Sequence, residues 1–135
     1  MTSDFGTTGS YVGAMRGAAL SADPTARVVD ITHDIPPQDV GFAARVLYEA
    51  APVYPPGTIH LVVVDPGVGT DRAAIVVQAG GHLFVGPDNG VLLPAARSLG
   101  EVLAWSITDT QLMRQPVSAT FHGRDVFAPV AGALS

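Results

Sequence analysis

The chain has 135 residues, 47% hydrophobic and 14% charged, which supplies enough apolar material for one compact domain with a sizeable core. Seven Lys plus Arg against twelve Asp plus Glu, a formal charge of −5 and no basic cluster argue against a nucleic-acid backbone as partner and leave a small molecule. No cysteine means no disulfide and no thiolate metal site; no apolar run near about 18 residues and no charged-then-apolar leader means no visible membrane span or signal peptide, so the expectation is a soluble, cytoplasmic protein.

Asp4-Phe-Gly-Thr-Thr-Gly9 comes after only three residues, where a buried α/β domain ordinarily opens with an apolar first strand. Ser10 then precedes Tyr11 to Leu20, whose apolar residues recur at helical spacing, so a Gly/Thr-rich loop feeds a helix N-terminus. Asp4 reads in two ways, as a helix cap like Ser10 or as an acceptor for vicinal ribose hydroxyls. Asp23-Pro24 closes the helix, Arg27 to Thr32 is the next strand, and His33-Asp-Ile-Pro-Pro-Gln38 is a stiff loop. Asp30, His33 and Asp34 carry oxygen and imidazole donors, but three without a fourth at a known spacing form a weak metal motif. Turn chemistry with a solvated His33 is the expectation there, and no metal is expected. Asp39 N-caps a helix over Val40 to Ala51, with Val40, Ala43, Ala44, Leu47 and Tyr48 on one apolar face.

The organising stretch is His60-Leu-Val-Val-Val-Asp-Pro-Gly-Val-Gly-Thr-Asp-Arg72. Leu61 to Val64 reads as a strand buried on both faces, and Asp65 at its end stands where ligands bind in open α/β sheets. Arg72 lies across the Pro-Gly-Val-Gly turn and can fold back toward Asp65; the alternative is a simple strand-ending turn with Arg72 in solvent. Ala73 to Gln78 is a second buried run, and Gly80-Gly81 turns into His82 to Gly86, giving a hairpin or neighbouring strands. Pro87-Asp-Asn-Gly90 opens a short helix over Val91 to Leu99, with Pro94 near its start and Gly100 as its stop. Glu101 to Ile107 is another strand, with Trp105 as a core or interface aromatic. Ser118-Ala-Thr-Phe-His-Gly-Arg-Asp-Val-Phe-Ala-Pro129 is a polar loop passing into a final helix that meets the chain end at Ala131-Gly-Ala-Leu-Ser135. Strands alternating with short helices predict a three-layer α/β/α domain with a mostly parallel central sheet, and both ends read as truncated.

Asp4-Phe5-Gly6 matches a kinase magnesium triplet in letters only, and no P-loop, Gly-x-Ser-x-Gly elbow or dinucleotide glycine fingerprint occurs. Taken together, Ser3-Asp-Phe-Gly-Thr-Thr8, Val64-Asp-Pro-Gly-Val-Gly-Thr-Asp-Arg72, Gly86-Pro-Asp-Asn-Gly90 and Thr120-Phe-His-Gly-Arg-Asp-Val-Phe-Ala-Pro129 resemble the S-adenosylmethionine hydrolase family, also called S-adenosylmethionine hydroxide adenosyltransferases. These are relatives of the fluorinating and chlorinating enzymes that use the same substrate. The resemblance implies an N-terminal α/β/α domain, a C-terminal β-barrel absent from this chain, and a homotrimer with substrate held between one subunit's first domain and its neighbour's second. It implies a water-activating trio of Asp65, Arg72 and His122, a ribose-binding Asp4, and substrate contacts from Phe5, Thr120, Phe121 and Gly123. No cofactor is implied; S-adenosylmethionine is the substrate and adenosine a product.

The chemistry can be argued from the residues. Attack at the ribose 5′ carbon expels neutral methionine from a sulfonium, so the leaving group needs neither protonation nor a metal, and the site must supply a positioned, partly deprotonated water. A cation such as Arg72 favours hydroxide, and Asp65 or His122 takes the proton; the residues alone leave that choice open. As the resemblance has it, halogenating relatives carry Tyr at the Asp65 position and Ser at the Gly123 position. An anionic Asp65 would repel halide and Gly123 offers no hydroxyl, so water is the better-suited nucleophile. From another class stands the alternative of a non-catalytic nucleoside-binding or assembly fragment that lacks half of its pocket. A metal-dependent hydrolase built on Asp30, His33 and Asp34 is a third.

Overall fold

The computed structural model describes all residues, 1–135. Its elements are β1 (Thr2–Ser3), α1 (Tyr11–Ala22), α2 (Val40–Ala50), β2 (Ile59–Val63), β3 (Ala74–Ala79), β4 (His82–Pro87), α3 (Leu93–Leu99), β5 (Leu103–Ser106) and α4 (Ala128–Ala133), the last entered through a π-helical turn, Gly123–Phe127. None of the helices is long and apolar enough to cross a membrane.

The apolar run that ends at Asp65 forms the heart of the sheet. Leu61, Val62, Val63 and Val64 are all buried, and strand alternation sends them to two separate cores. Val62 and Val64 join Phe84 and Val77 under Ala43 and Leu47 of α2 and Ala95 and Ala96 of α3. Leu61 and Val63 face Met15, Ala18 and Ala19 of α1 and Val130 and Ala131 of α4. Helices therefore cover both faces, which makes the three layers of an α/β/α domain. On one face α1 and α4 meet backbone to backbone, since a Cβ built on Gly132 would lie 2.3 Å from the Ala19 carbonyl oxygen.

Strand order is β1-β2-β4-β3-β5. β1, β2 and β4 run parallel, whereas β3 is antiparallel to both β4 and β5, so the sheet is mixed. The reversal comes from Gly80 and Gly81, both at positive φ, which close a two-residue hairpin between Ala79 and His82. Of the two arrangements open to these runs, the hairpin is the one formed.

Three expectations are corrected. Arg27 to Thr32 is not a strand; it touches the sheet through a single bridge, Thr32 to Thr2, because β1 is only two residues long and offers no ladder to extend. The helix expected from Val91 starts at Leu93, beside Pro94, which fits only the first turn, and Val91 and Leu92 are buried instead in the loop before it. Trp105 is not a core residue: β5 is an exposed edge strand and leaves the indole 50% accessible.

Close approach of β2 and β4 makes a measurable demand on Gly86, where an added Cβ would sit 2.5 Å from the Val62 carbonyl oxygen. Gly86→Ala should therefore destabilise the domain by about 1–3 kcal/mol through overpacking. Gly17→Ala, on the exposed side of α1 with nothing within 4 Å, should stabilise it by about 0.5–1 kcal/mol. Urea denaturation of the two variants beside the parent checks both signs.

Candidate active site

Because β1, β2 and β4 are parallel, their carboxyl ends open on one edge of the sheet. Asp4 follows β1 directly, Asp65 lies just past β2, and Asn89 follows β4. Asn89 donates from Nδ2 to the Val64 carbonyl at 2.9 Å and accepts from Val91 N–H at 3.2 Å, which fixes the backbone immediately before Asp65. Beyond Asp65 the chain makes two successive turns. Val68 N–H donates to the Asp65 carbonyl at 3.2 Å, then Thr70 N–H to the Gly67 carbonyl at 3.1 Å, and the Thr70 hydroxyl to that same carbonyl at 2.6 Å. These turns carry Arg72 back over the strand end. Gly69, at φ 79°, allows the loop to lie against the second functional loop, since a Cβ there would come within 2.8 Å of the Ala119 carbonyl oxygen.

Arg72 binds both other members of the expected trio. Its Nε donates to Asp65 Oδ1 at 2.9 Å and Oδ2 at 3.0 Å, and its Nη2 donates to Oδ2 as well. The same Nη2 reaches His122 Nδ1 at 2.8 Å, across fifty residues of sequence. A guanidinium has no lone pair to offer, so Nδ1 is the acceptor; this assigns His122 as neutral, with its proton on Nε2. Burial is the main reason the His122 pKa lies below the ordinary histidine value, with the Arg72 charge adding to it and Asp65 and Asp125 opposing. The ion pair is nearly dry, with 10% of the Arg72 and 5% of the Asp65 side chain accessible. The Arg72 guanidinium also sits 5.1 Å from the Phe127 ring centroid, on the π-helical turn.

An open cleft of about 280 Å³ is lined by Phe5, Tyr11, Met15, Thr120, Phe121, Gly123 and Arg124. Four of the five expected substrate contacts are thus together. The fifth, Asp4, stands next to Phe5 outside this lining, and its Oδ2 accepts from Gln38 N–H at 2.7 Å. Tyr11 stacks on Phe121 with centroids 5.3 Å apart and packs on Phe5 at 5.7 Å. Gly123 is buried: a Cβ there would meet Met15 Sδ at 3.0 Å and Val63 Cγ1 at 3.2 Å. A larger cavity, about 480 Å³, is lined by Val29, Ile31, Ile59 and Leu61 among others; Asp65, Arg72 and His122 line neither cavity, and it is the smaller one that adjoins the trio, through Phe121 and Gly123 on either side of His122.

Tyr11, Met15, Arg124 and Asp125 are functional candidates that sequence reasoning passed over. Tyr11 follows Ser10 at a helix start, and Arg124 and Asp125 share the motif of His122, which are the signals that mark them. Asp125 is 1% exposed and accepts from Arg124 Nε at 2.6 Å, Arg124 Nη2 at 2.9 Å and Ser118 N–H at 3.0 Å, so it ties together the loop that carries Thr120 to His122. Those hydrogen bonds, the one from Arg124 foremost, hold its carboxyl below the usual carboxylate range despite burial. Asp30 and His33 adjoin, but with Asp34 they do not make a three-donor metal site. His33 is buried rather than solvated, Asp30 is paired with Arg16, and Asp34 is exposed. His33 is drawn inward by Ser3, whose Oγ lies 2.7 Å from Nδ1.

Asp65 just past β2, Arg72 on the turn that follows and His122 at the start of the π-helical turn thus form one hydrogen-bonded cluster of carboxylate, guanidinium and neutral imidazole on a covered α/β sheet, a set chemically able to hold and polarise a water. The chain belongs to the S-adenosylmethionine hydroxide adenosyltransferase family, whose N-terminal domain it matches over residues 1–135. A protein of Salinispora tropica named (R)-S-adenosyl-L-methionine hydrolase is 52% identical over 135 residues, covering 99% of this chain and 51% of that protein. A crystal structure of an uncharacterized conserved protein from Thermotoga maritima superposes with a TM-score of 0.94 at 44% identity, covering 98% of this chain and 52% of that one. A fluorinase of an Actinoplanes species is more distant, at 24% identity over 149 residues. The chain spans about half the length of the curated relatives it matches.

Asp125→Ala should lose about 1.5–3 kcal/mol in urea denaturation at pH 7, the range for hydrogen bonds to a charged group. Because its folded pKa is depressed, Asp125 binds protons more readily unfolded than folded. Its contribution is complete above the unfolded value of 3.8 and lost as the pH falls through the folded value. The gap between parent and variant should close over that interval.

Proposed function

We propose that the protein carrying this chain hydrolyses S-adenosyl-L-methionine to adenosine and L-methionine, with Asp65, Arg72 and His122 activating the water. The single observation that carries the reading is Arg72 hydrogen-bonded to both Asp65 and His122, with His122 flanked by the cleft-lining Phe121 and Gly123. A water oxygen attacks the ribose 5′ carbon, the carbon–sulfur bond breaks, and its electron pair neutralises the sulfonium to give methionine. One water proton must leave. Since His122 Nδ1 already accepts from Arg72 and Nε2 carries its proton, the hydrogen-bond pattern favours Asp65 as acceptor, with His122 Nε2–H orienting the water. No metal or cofactor enters this scheme, because a sulfonium leaves without acid assistance.

Phe5, Thr120, Phe121 and Gly123 contact the sugar and sulfonium in this reading, and Asp4 accepts from the ribose diol. The cleft is half open, with Tyr11 48% and Phe5 37% accessible, which is the side a second domain or a neighbouring subunit would close. A homotrimer in the cytoplasm, with the pocket shared between subunits, accommodates that opening. The same opening favours the second reading for the chain by itself, that it binds nucleoside without turnover.

Chromatographic detection of adenosine and methionine tests the reading, using the chain alone and joined to a barrel domain of a family relative. Turnover by the joined form only is expected; no adenosine from either would overturn the assignment, and 5′-halogenated adenosine formed in chloride or fluoride would overturn the choice of nucleophile. In the active form Asp65→Asn and Arg72→Met should each lower kcat by about 10²–10⁴. The rate should fall on acidification as His122 becomes charged and can no longer accept from Arg72. Because its pKa is lowered, that limb of the kcat/KM profile should lie below 6.5, the ordinary histidine value.

A further inference from the structure

Beneath the Asp4 loop lies a line of polar side chains that the trio does not use. Arg16, on α1, is ion-paired with Asp30 Oδ2. Asp30 Oδ1 faces His33 Nε2 at 3.0 Å, close enough for attraction though out of line for a full hydrogen bond. On its other side the His33 ring meets Ser3 Oγ at 2.7 Å through Nδ1, and Ser3 Oγ accepts from Phe5 N–H at 3.4 Å. One tautomer serves both contacts: the Ser3 hydroxyl donates to Nδ1, and Nε2 carries the proton that faces Asp30. Ser3 and His33 are 0% and 4% exposed, so neither meets substrate.

This line is flanked by backbone ties between the two segments, with Ser3 N–H donating to the Thr32 carbonyl at 3.0 Å and Ile35 N–H to the Ser3 carbonyl at 3.4 Å. Gly6 N–H donates to the His33 carbonyl at 2.8 Å, and Gln38 N–H donates to Asp4 Oδ2 at 2.7 Å. Gln38 makes that bond from φ 63°, the one non-glycine residue with a left-handed backbone, a strained state that persists only where its surroundings enforce it. With one carboxylate oxygen held, Asp4 keeps the other for a ligand. Resting on the reading above, in which Asp4 accepts from the ribose diol, we propose that His33 is a positioning residue, locking the His33–Gln38 loop onto Ser3 so that Asp4 and Phe5 are presented to the nucleoside in one conformation.

His33→Ala, Ser3→Ala and the double variant test this through two independent readouts. Amide hydrogen exchange on the chain should accelerate about tenfold or more at Gly6 and Gln38 in His33→Ala, with Val62 and Val85 unchanged, as for a local opening. In the active two-domain form, KM for S-adenosylmethionine should rise about tenfold with kcat within about threefold of the parent, the mark of lost uniform binding. Ser3→Ala should act in the same direction, and the double variant should be no worse than His33→Ala, because the two act as one unit. Equal acceleration at Val62 and Val85, unchanged exchange at Gly6 and Gln38, or a fall in kcat at constant KM would each overturn the proposal. An inactive parent would instead defeat the hydrolase reading, and the exchange contrast would still decide whether His33 holds the loop.

Discussion

One guanidinium ties the site together. Arg72 hydrogen-bonds to both Asp65 and His122, and these come from loops that follow different parts of the sheet. Removing two charges from water is costly, and a nearly dry pair survives only where hydrogen bonds satisfy it on several sides. Here the carboxylate takes one side of the guanidinium, the imidazole another and the Phe127 ring a face. The cation thereby dictates the state of its neighbours: the imidazole must stay uncharged to accept from it, and the carboxylate is held in one orientation.

The scaffold makes that arrangement affordable in conformational terms. β2 is gripped on both faces by separate cores, so the backbone that delivers Asp65 has little freedom, and Asn89 fixes the carbonyl just before it. The two functional loops touch directly where Gly69 abuts Ala119, and Asp125 ties down the second of them from inside. Chemistry thus rests on loops, but each loop is stapled to a rigid strand or helix within a few residues, which is the condition for holding groups to sub-ångström tolerance.

Much of this was legible in the letters. A β-branched run ending in Asp-Pro-Gly-Val-Gly announces a buried strand and a turn at its carboxyl end, and the resemblance built on four ordered motifs names Asp65, Arg72 and His122, which the fold brings within hydrogen-bond reach of one another through Arg72. The fold class followed from strands alternating with helices. What periodicity does not carry is pairing: the antiparallel β3 depends on positive φ at two glycines, and the weakness of the Arg27 to Thr32 segment depends on how little strand it has to pair with. Tyr11 and Asp125 were hidden for a similar reason, since their roles arise from contacts with residues 110 positions away and from burial that charge alone argues against. The burial of His33 is likewise invisible locally, since the serine that holds its ring lies thirty positions away.

The π-helical turn Gly123–Phe127 sets a limit on how this protein can vary. Each residue advances an α-helix by about 100°, and a π turn holds one residue more than an α turn. His122, immediately before the turn, is therefore phased differently from α4, so that it and the buried Phe127 both bear on Arg72, the imidazole through Nδ1 and the ring against the guanidinium. Deleting a single residue between them would restore ordinary helical winding and swing the imidazole off its cation. The span from His122 to Phe127 thereby behaves as a fixed-length spacer between the guanidinium and the core.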